Sequence, residues 1–337
     1  DLNPSYDESQ NAYPIRISVK EGTDMTSLAP IFELTPGATI SPASGSVQNF
    51  TTPVRYTVTS EDKAWHRVYA ITAREQKASN IPTTYHFEKV RIMQNVWQEF
   101  YEEQDSGNEL TWASGNKGFK WAMSEAATED YPTTQIDNGK TGKCVKLETR
   151  LTGDLGNMVG MPIAAGNLFI GSFDMLNAIT NPLSATRFGT PFYNKPLRLT
   201  GYYKYKAGEQ FYENGEYTSR KDIFNIYAIF YDGVKYDSAG KGTDVTLDGN
   251  LPNQNYEHSS MVALALVSNP QETEGDEWKF FDIPFDYQRY GKKIDEARLA
   301  KGEYKIGIIF ASSKDGATFE GAPGSTLLID EVELIYE

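Results

Sequence analysis

The sequence predicts an all-β protein of two domains, a small sandwich followed by a much larger jelly-roll-like sandwich of two stacked sheets. Three observations carry this reading. Aromatic residues make up 13% of the 337 residues, with 21 Tyr, 17 Phe and 5 Trp, and such rings suit a pleated, half-buried surface. Runs of alternating polarity recur along the chain, separated by clusters of Pro, Gly, Ser and Asn. Helical periodicity is nearly absent. The length allows one large or two unequal domains.

The first strand is expected at Tyr13–Lys20, where Ile15, Ile17 and Val19 face one way. A short apolar run at 31–34 ends in the Thr35-Pro36-Gly37 turn, and Ser41-Pro42-Ala43-Ser44-Gly45 is a second turn cluster. Alternation returns at Val54–Thr59 and at 67–72. Residues 1–12 read as a polar linker left after processing or trimming, with no visible signal peptide. Residues 13–76 then form the small domain, whose core of about sixty residues is marginal. Residues 75–82 are polar and aperiodic and read as the link to the large domain, residues 83–337.

In the large domain the run 197–206 alternates cleanly. Leu197, Leu199, Gly201, Tyr203 and Tyr205 share one face, and Arg198, Thr200, Tyr202, Lys204 and Lys206 the other. Denser apolar runs at 223–231 and 261–267 predict central strands, and 278–285, 304–312 and Thr326–Tyr336 complete the set. One helix is expected at 292–301, from the spacing of Ile294, Ala297 and Leu299. The connections 97–120, 181–196 and 232–258 exceed plain hairpin turns, and loops of that length carry function or wrap a core. Many strands joined this way suit a jelly roll.

Composition excludes several functions. A net charge of −14 repels nucleic acid and anionic membrane surfaces but not neutral ligands. A single cysteine, Cys144, rules out an internal disulfide and a Cys-rich metal site. His66, His86 and His258 are too few and too scattered for zinc. No run of eighteen apolar residues spans a membrane. The phosphate-binding loop, the dinucleotide fingerprint and the nucleophile elbow are all missing from the sequence.

Two resemblances add to this. The segments Ile40-Ser41-Pro42-Ala43-Ser44-Gly45 and Asn49-Phe50-Thr51-Thr52-Pro53-Val54-Arg55-Tyr56 resemble the small immunoglobulin-like modules that follow the lipid anchor of many bacterial surface lipoproteins. That resemblance implies a spacer. The large domain carries Ala164-Ala165-Gly166-Asn167-Leu168-Phe169, Thr186-Arg187-Phe188-Gly189-Thr190-Pro191-Phe192, Ser312-Ser313-Lys314-Asp315-Gly316 and Gly321-Ala322-Pro323-Gly324-Ser325. With these motifs it resembles the putative carbohydrate metabolism domain of bacterial surface proteins. The resemblance implies a jelly roll related to carbohydrate-binding modules. It also implies export to the outer face of a bacterial outer membrane behind an N-terminal lipid anchor, and an oligo- or polysaccharide as partner. It supplies no catalytic residue.

Candidate site residues follow. Trp97, Trp112, Trp121, Tyr131, Phe192 and Tyr193 fall in loop-like sequence, where rings make stacking platforms for sugars beside hydroxyl-binding Asn, Asp and Gln. Against this stands packing of the same rings onto the core. In related sandwich modules a Phe-Glu near the start and an Ile-Asp-Asp-Val near the end hold a structural Ca²⁺. By that resemblance Glu88 and Asp330 are candidate calcium ligands, with Glu331 in place of the second Asp. Glu331 and Glu333 have the i, i+2 spacing that a strand needs to bring two carboxylates within reach of a glycosidic bond. Alternation with Val332 and Leu334 instead makes them a solvated face. The Glu-x-Asp-x-x-Glu strand of jelly-roll glycosidases is absent. The reading is a surface glycan-binding protein without catalysis. The alternatives are a glycoside hydrolase and a protein-binding adhesin or scaffold.

Overall fold

The structure is a computed structural model that describes residues 4–76, 78–104 and 107–337. Residues 1–3 of the expected linker, Lys77 in the link between domains, and residues 105 and 106 in the 97–120 connection lie outside the described residues. The chain divides into two compact units, one up to Ala78 together with Glu337, the other Ser79–Tyr336.

The small unit is built on one four-stranded sheet. Its spatial order is Tyr13–Lys20, His66–Gln76, Val54–Thr59, Thr39–Ser41, and the first pair is parallel. Irregular segments on either side of Thr39–Ser41, within residues 25–50, form a second layer, pinned by the Leu28–Gln48 bridge and by Phe50 N–H donating to Met25 O. The two layers enclose Phe50, Tyr56, Ile71 and Ala73. The apolar run at 31–34 forms no ladder. Phe32 packs 4.8 Å from the Tyr56 ring, while Ile31 is left exposed.

The large unit is an antiparallel sandwich. One sheet runs Lys279–Pro284, Pro196–Lys206, Thr326–Tyr336, Lys143–Glu148, Thr133–Asp137, with Thr84–Tyr85 also paired to Thr326–Tyr336. The other runs Asn167–Phe169, Tyr304–Ala311, Asn225–Asp232, Met261–Leu266, with Thr190–Pro191 also on Tyr304–Ala311. Leu199, Tyr203 and Tyr205 of the first sheet meet Ile226, Ala228, Phe230, Ile306 and Ile308 of the second in one core. This is the division that alternation predicts.

Asn225–Asp232 is buried on both faces. On the face away from the main core, Tyr227, Ile229 and Tyr231 pack with Phe188, Leu247, Leu251 and Tyr256. Those partners come from the long connections 181–196 and 232–258, so these segments wrap the second sheet. Within them lie the short strands Thr186–Phe188 and Leu247–Asp248 and the hairpin of Val234–Tyr236 with Gly242–Asp244. The expected helix at 292–301 contracts to Glu296–Leu299. The Asp295 side chain caps it at Ala297 N–H and Arg298 N–H.

A bulge sets the geometry of the closing strand. Thr200 pairs with Glu333 and Tyr202 with Asp330, so Glu331 and Val332 share one partner, Gly201. The extra residue switches the inward set from Leu327 and Ile329 to Val332 and Leu334. Gly201 is required at the crossing. A Cβ there would lie 2.7 Å from the Phe281 ring and 2.9 Å from Val332 Cγ2.

Candidate functional site

The outer face of the first sheet carries aromatic rings, of which Phe280 is exposed and Tyr202 and Trp278 are half-buried. Residue parity puts Arg198, Thr200, Tyr202 and Lys204 outward on one strand, and Phe280 and Asp282 outward on the edge strand beside it. The register sets Tyr202 opposite Phe280 and Thr200 opposite Asp282. The Tyr202 and Phe280 rings lie 5.2 Å apart, and Phe280 is 53% exposed. Trp278 precedes the edge strand and is half-buried. Lys204 Nζ stands 4.9 Å from its ring, and Lys140 Nζ stands 4.9 Å from the Tyr202 ring. Arg198 grips Asp282 with two bonds, Nε to Oδ1 at 2.7 Å and a terminal nitrogen to Oδ2 at 2.6 Å. Such a pair fixes donors and acceptors in one plane next to the rings. Along the sheet edge an open groove of about 460 Å³ runs past Phe280, Asp282, Asn269, Asp286 and Arg289. Flat apolar faces flanked by fixed polar groups can hold a sugar ring and its hydroxyls.

The carboxylates here make local contacts. Asp286 accepts Gln288 N–H at 2.9 Å and Arg289 N–H at 3.1 Å, closing a turn. Asp282 and Asp286 are four residues apart on an extended chain, which puts their Cα atoms roughly 13 Å apart. Paired glycosidase carboxyls sit about 5–10 Å apart. Glu331 occupies the bulge at φ 48° and its carboxylate meets His86 Nδ1 at 3.0 Å. The bulge therefore breaks the regular i, i+2 relation of Glu331 and Glu333 on which their pairing rested.

The six aromatic candidates separate into two groups. Trp97, Trp112, Tyr131 and Phe192 are buried. Trp112 packs among Tyr85, Phe87 and Phe310 with ring centres 5.0–5.9 Å away. Phe192 meets Tyr336 at 5.9 Å, and Trp97 and Tyr131 cluster with Phe119. A ring enclosed in this way offers no face to a ligand, so the expectation of a platform is corrected for these four. They anchor long segments to the core because burying a large ring is strongly favourable. Two of the six candidates also lie in regular elements rather than loops: Trp97 begins the strand Trp97–Glu103, and Trp121 lies in the helix Asn116–Ala122. Trp121 and Tyr193 stay exposed at 39% and 40%. Trp278, Phe280 and Tyr202 were read as strand residues only.

Glu88 and Asp330 hold the same tight turn. Glu88 Oε1 accepts Lys143 N–H at 2.8 Å, and Asp330 Oδ2 accepts Thr141 N–H at 3.0 Å. Asp330 Oδ1 accepts Glu331 N–H at 2.8 Å. Burial pushes the Asp330 carboxyl up to about 6, against the lowering by these amides. Calcium takes six to eight oxygens. Here both Asp330 oxygens already serve backbone amides, and among the described residues no group of three acidic, His or Cys side chains converges. The pair acts as a clamp on the turn.

A further carboxylate, Asp222, explains two of the motifs. It is buried, and its Oδ2 accepts Ser313 Oγ at 2.6 Å, Ser325 Oγ at 2.7 Å and Ala322 N–H at 2.8 Å. Burial raises its pKa, and these donors oppose the rise. The Ser312-Ser313 and Gly321–Ser325 stretches are thus tied to one buried carboxyl group, a role that holds loops together.

The putative carbohydrate metabolism domain model matches residues 86–335. The chain belongs to that family. Residues 5–73 match the N-terminal domain of surface glycan-binding proteins, which marks a surface-associated protein. A crystal structure of a putative glycoside hydrolase from Bacteroides vulgatus ATCC 8482 is 50% identical, with a TM-score of 0.71, over 77% of this chain and 100% of that one. Another, of a putative glycoside hydrolase from Bacteroides thetaiotaomicron VPI-5482, is 46% identical, with a TM-score of 0.68, over 97% of this chain and 91% of that one. No curated protein matches. No helix among the described residues is long and apolar enough to cross a membrane.

Proposed function

We propose that this protein captures oligo- or polysaccharide at a bacterial cell surface, and that the large domain grips sugar without cleaving it. The observation that carries this is the outward row of Trp278, Phe280 and Tyr202 on one sheet face, with Phe280 exposed and Arg198–Asp282 beside it. Sugar rings stack on the aromatic faces, and the fixed ion pair and Asn269 receive hydroxyls. Trp121 and Tyr193 are the remaining exposed candidates from the sequence. The small domain serves as a spacer behind a lipid anchor in the outer membrane. The matched surface glycan-binding type supports this role.

A glycan array followed by isothermal titration with the best oligosaccharide tests the reading. Phe280→Ala should weaken binding about tenfold, equivalent to about 1.4 kcal/mol. Absence of binding to any glycan, or unchanged affinity in both Phe280→Ala and Trp278→Ala, would refute it.

A second reading, glycoside hydrolysis, is favoured by the description of the solved relatives. It requires release of reducing ends from a bound polysaccharide, abolished by Asp282→Asn or Asp286→Asn. Binding without release excludes it.

A further inference from the structure

The large domain has a second concave feature, built from different elements. The helices Asn116–Ala122, Gly153–Met158 and Met175–Thr180 surround a cavity of about 130 Å³. Its wall is apolar and made largely of small residues, with Phe119, Trp121, Phe173 and Phe319 as the rings and Met161 and Met175 as flexible fillers. Among the described residues no charged side chain lines it. Asn167, the amide in the wall, already accepts Gly115 N–H at 2.8 Å and donates to Ala165 O at 3.3 Å. The wall therefore contains little that would order water or select a hydroxyl.

Three of the lining side chains, Trp121, Val159 and Ile179, are themselves 39–45% exposed, and Leu155, Met158 and Leu176 on the same helices are exposed as well. Leaving so many large apolar side chains in water at one place marks an interaction site. Methionine suits such a site because its unbranched thioether reshapes to its partner.

We infer that this cavity binds an uncharged apolar group of one aromatic ring or a short branched acyl chain, independently of the sugar platform. An enclosed apolar cavity of about 150 Å³ takes up benzene; this one is of similar volume and is open on one side, which gives a ligand a way in. A charged ligand would lose its hydration here with nothing to replace it.

Indole and toluene are the probes, added to the full chain and followed by saturation-transfer NMR and by melting temperature. Binding with a dissociation constant of about 1 mM or tighter is expected, with a rise in melting temperature. Ala122→Phe and Ala178→Leu fill the cavity from two helices and should each weaken binding at least tenfold while still melting cooperatively. If one variant fails to fold, the other and the wild-type titration decide. Excess glucose should not displace either probe. No saturation transfer in the folded wild type would overturn the inference. So would undiminished binding in the filled variants, or self-association through these exposed side chains with no uptake of either probe.

Discussion

Gly142→Ala is the sharpest test of the turn clamp. Gly142 sits at φ +60°, and a Cβ there would lie 2.1 Å from Glu88 Oε1. Two costs add. The left-handed backbone costs a non-glycine residue roughly 1–2 kcal/mol. The clash drives the Glu88 carboxylate off Lys143 N–H and removes a charge-assisted hydrogen bond. Such bonds are worth about 1.5–3 kcal/mol; this one is open to solvent, so about 1 kcal/mol is a fair share. The total is about 2.5 kcal/mol. For a domain of this size each kcal/mol moves the midpoint by roughly 2–4 °C, which predicts a fall of about 5–10 °C by differential scanning calorimetry. Gly215→Ala is the control. It has φ +88° and nothing within 4 Å of the new Cβ, so it carries only the backbone cost. If the two variants melt within about 1 °C of each other, Glu88 contributes nothing to the turn and the clamp is refuted.

Trp112→Ala should cost about 3–5 kcal/mol in urea unfolding while leaving glycan affinity unchanged below the transition; a selective loss of binding would return this ring to the site. Asp330 has a folded-state pKa raised to about 6 from 3.8, so its contribution to stability is fully present below about pH 4 and is lost as pH rises through 6. The stability difference between wild type and Asp330→Asn should therefore shift against the wild type by on the order of 1–3 kcal/mol between pH 4 and 7.5, and a flat difference would contradict the shift. Millimolar CaCl₂ or EDTA should move the melting temperature by less than about 1 °C, whereas a calcium-induced rise of several degrees would show that the clamp binds the ion.

Local pattern was enough for strands whose neighbours confirm it. The alternation across 197–206 put Leu199, Tyr203 and Tyr205 in the core without any knowledge of what they face. The helix at 292–301 was overdrawn because apolar spacing continues past Asp295, where the side chain caps a shorter helix. The aromatic candidates failed for a different reason. Trp112 follows the strand Glu109–Thr111 in Gly- and Asn-rich surroundings, which read as an exposed loop. Its neighbours Tyr85 and Phe310 are far along the chain, and only their convergence encloses it.

The platform shows the converse. A run such as 278–285 announces a strand, but not whether Phe280 or Phe281 is the outward ring, nor that the strand lies at a sheet edge. Pairing with Pro196–Lys206 decided both, and left Phe280 open beside Tyr202. The sequence by itself determined the all-β class and the inward set of the regular strands, because a period of two is a local property of the backbone. Only the tertiary structure decided which rings are wall and which are surface. It also decided that Asp330 faces a turn across a bulge, because burial and register depend on contacts between residues distant in the chain.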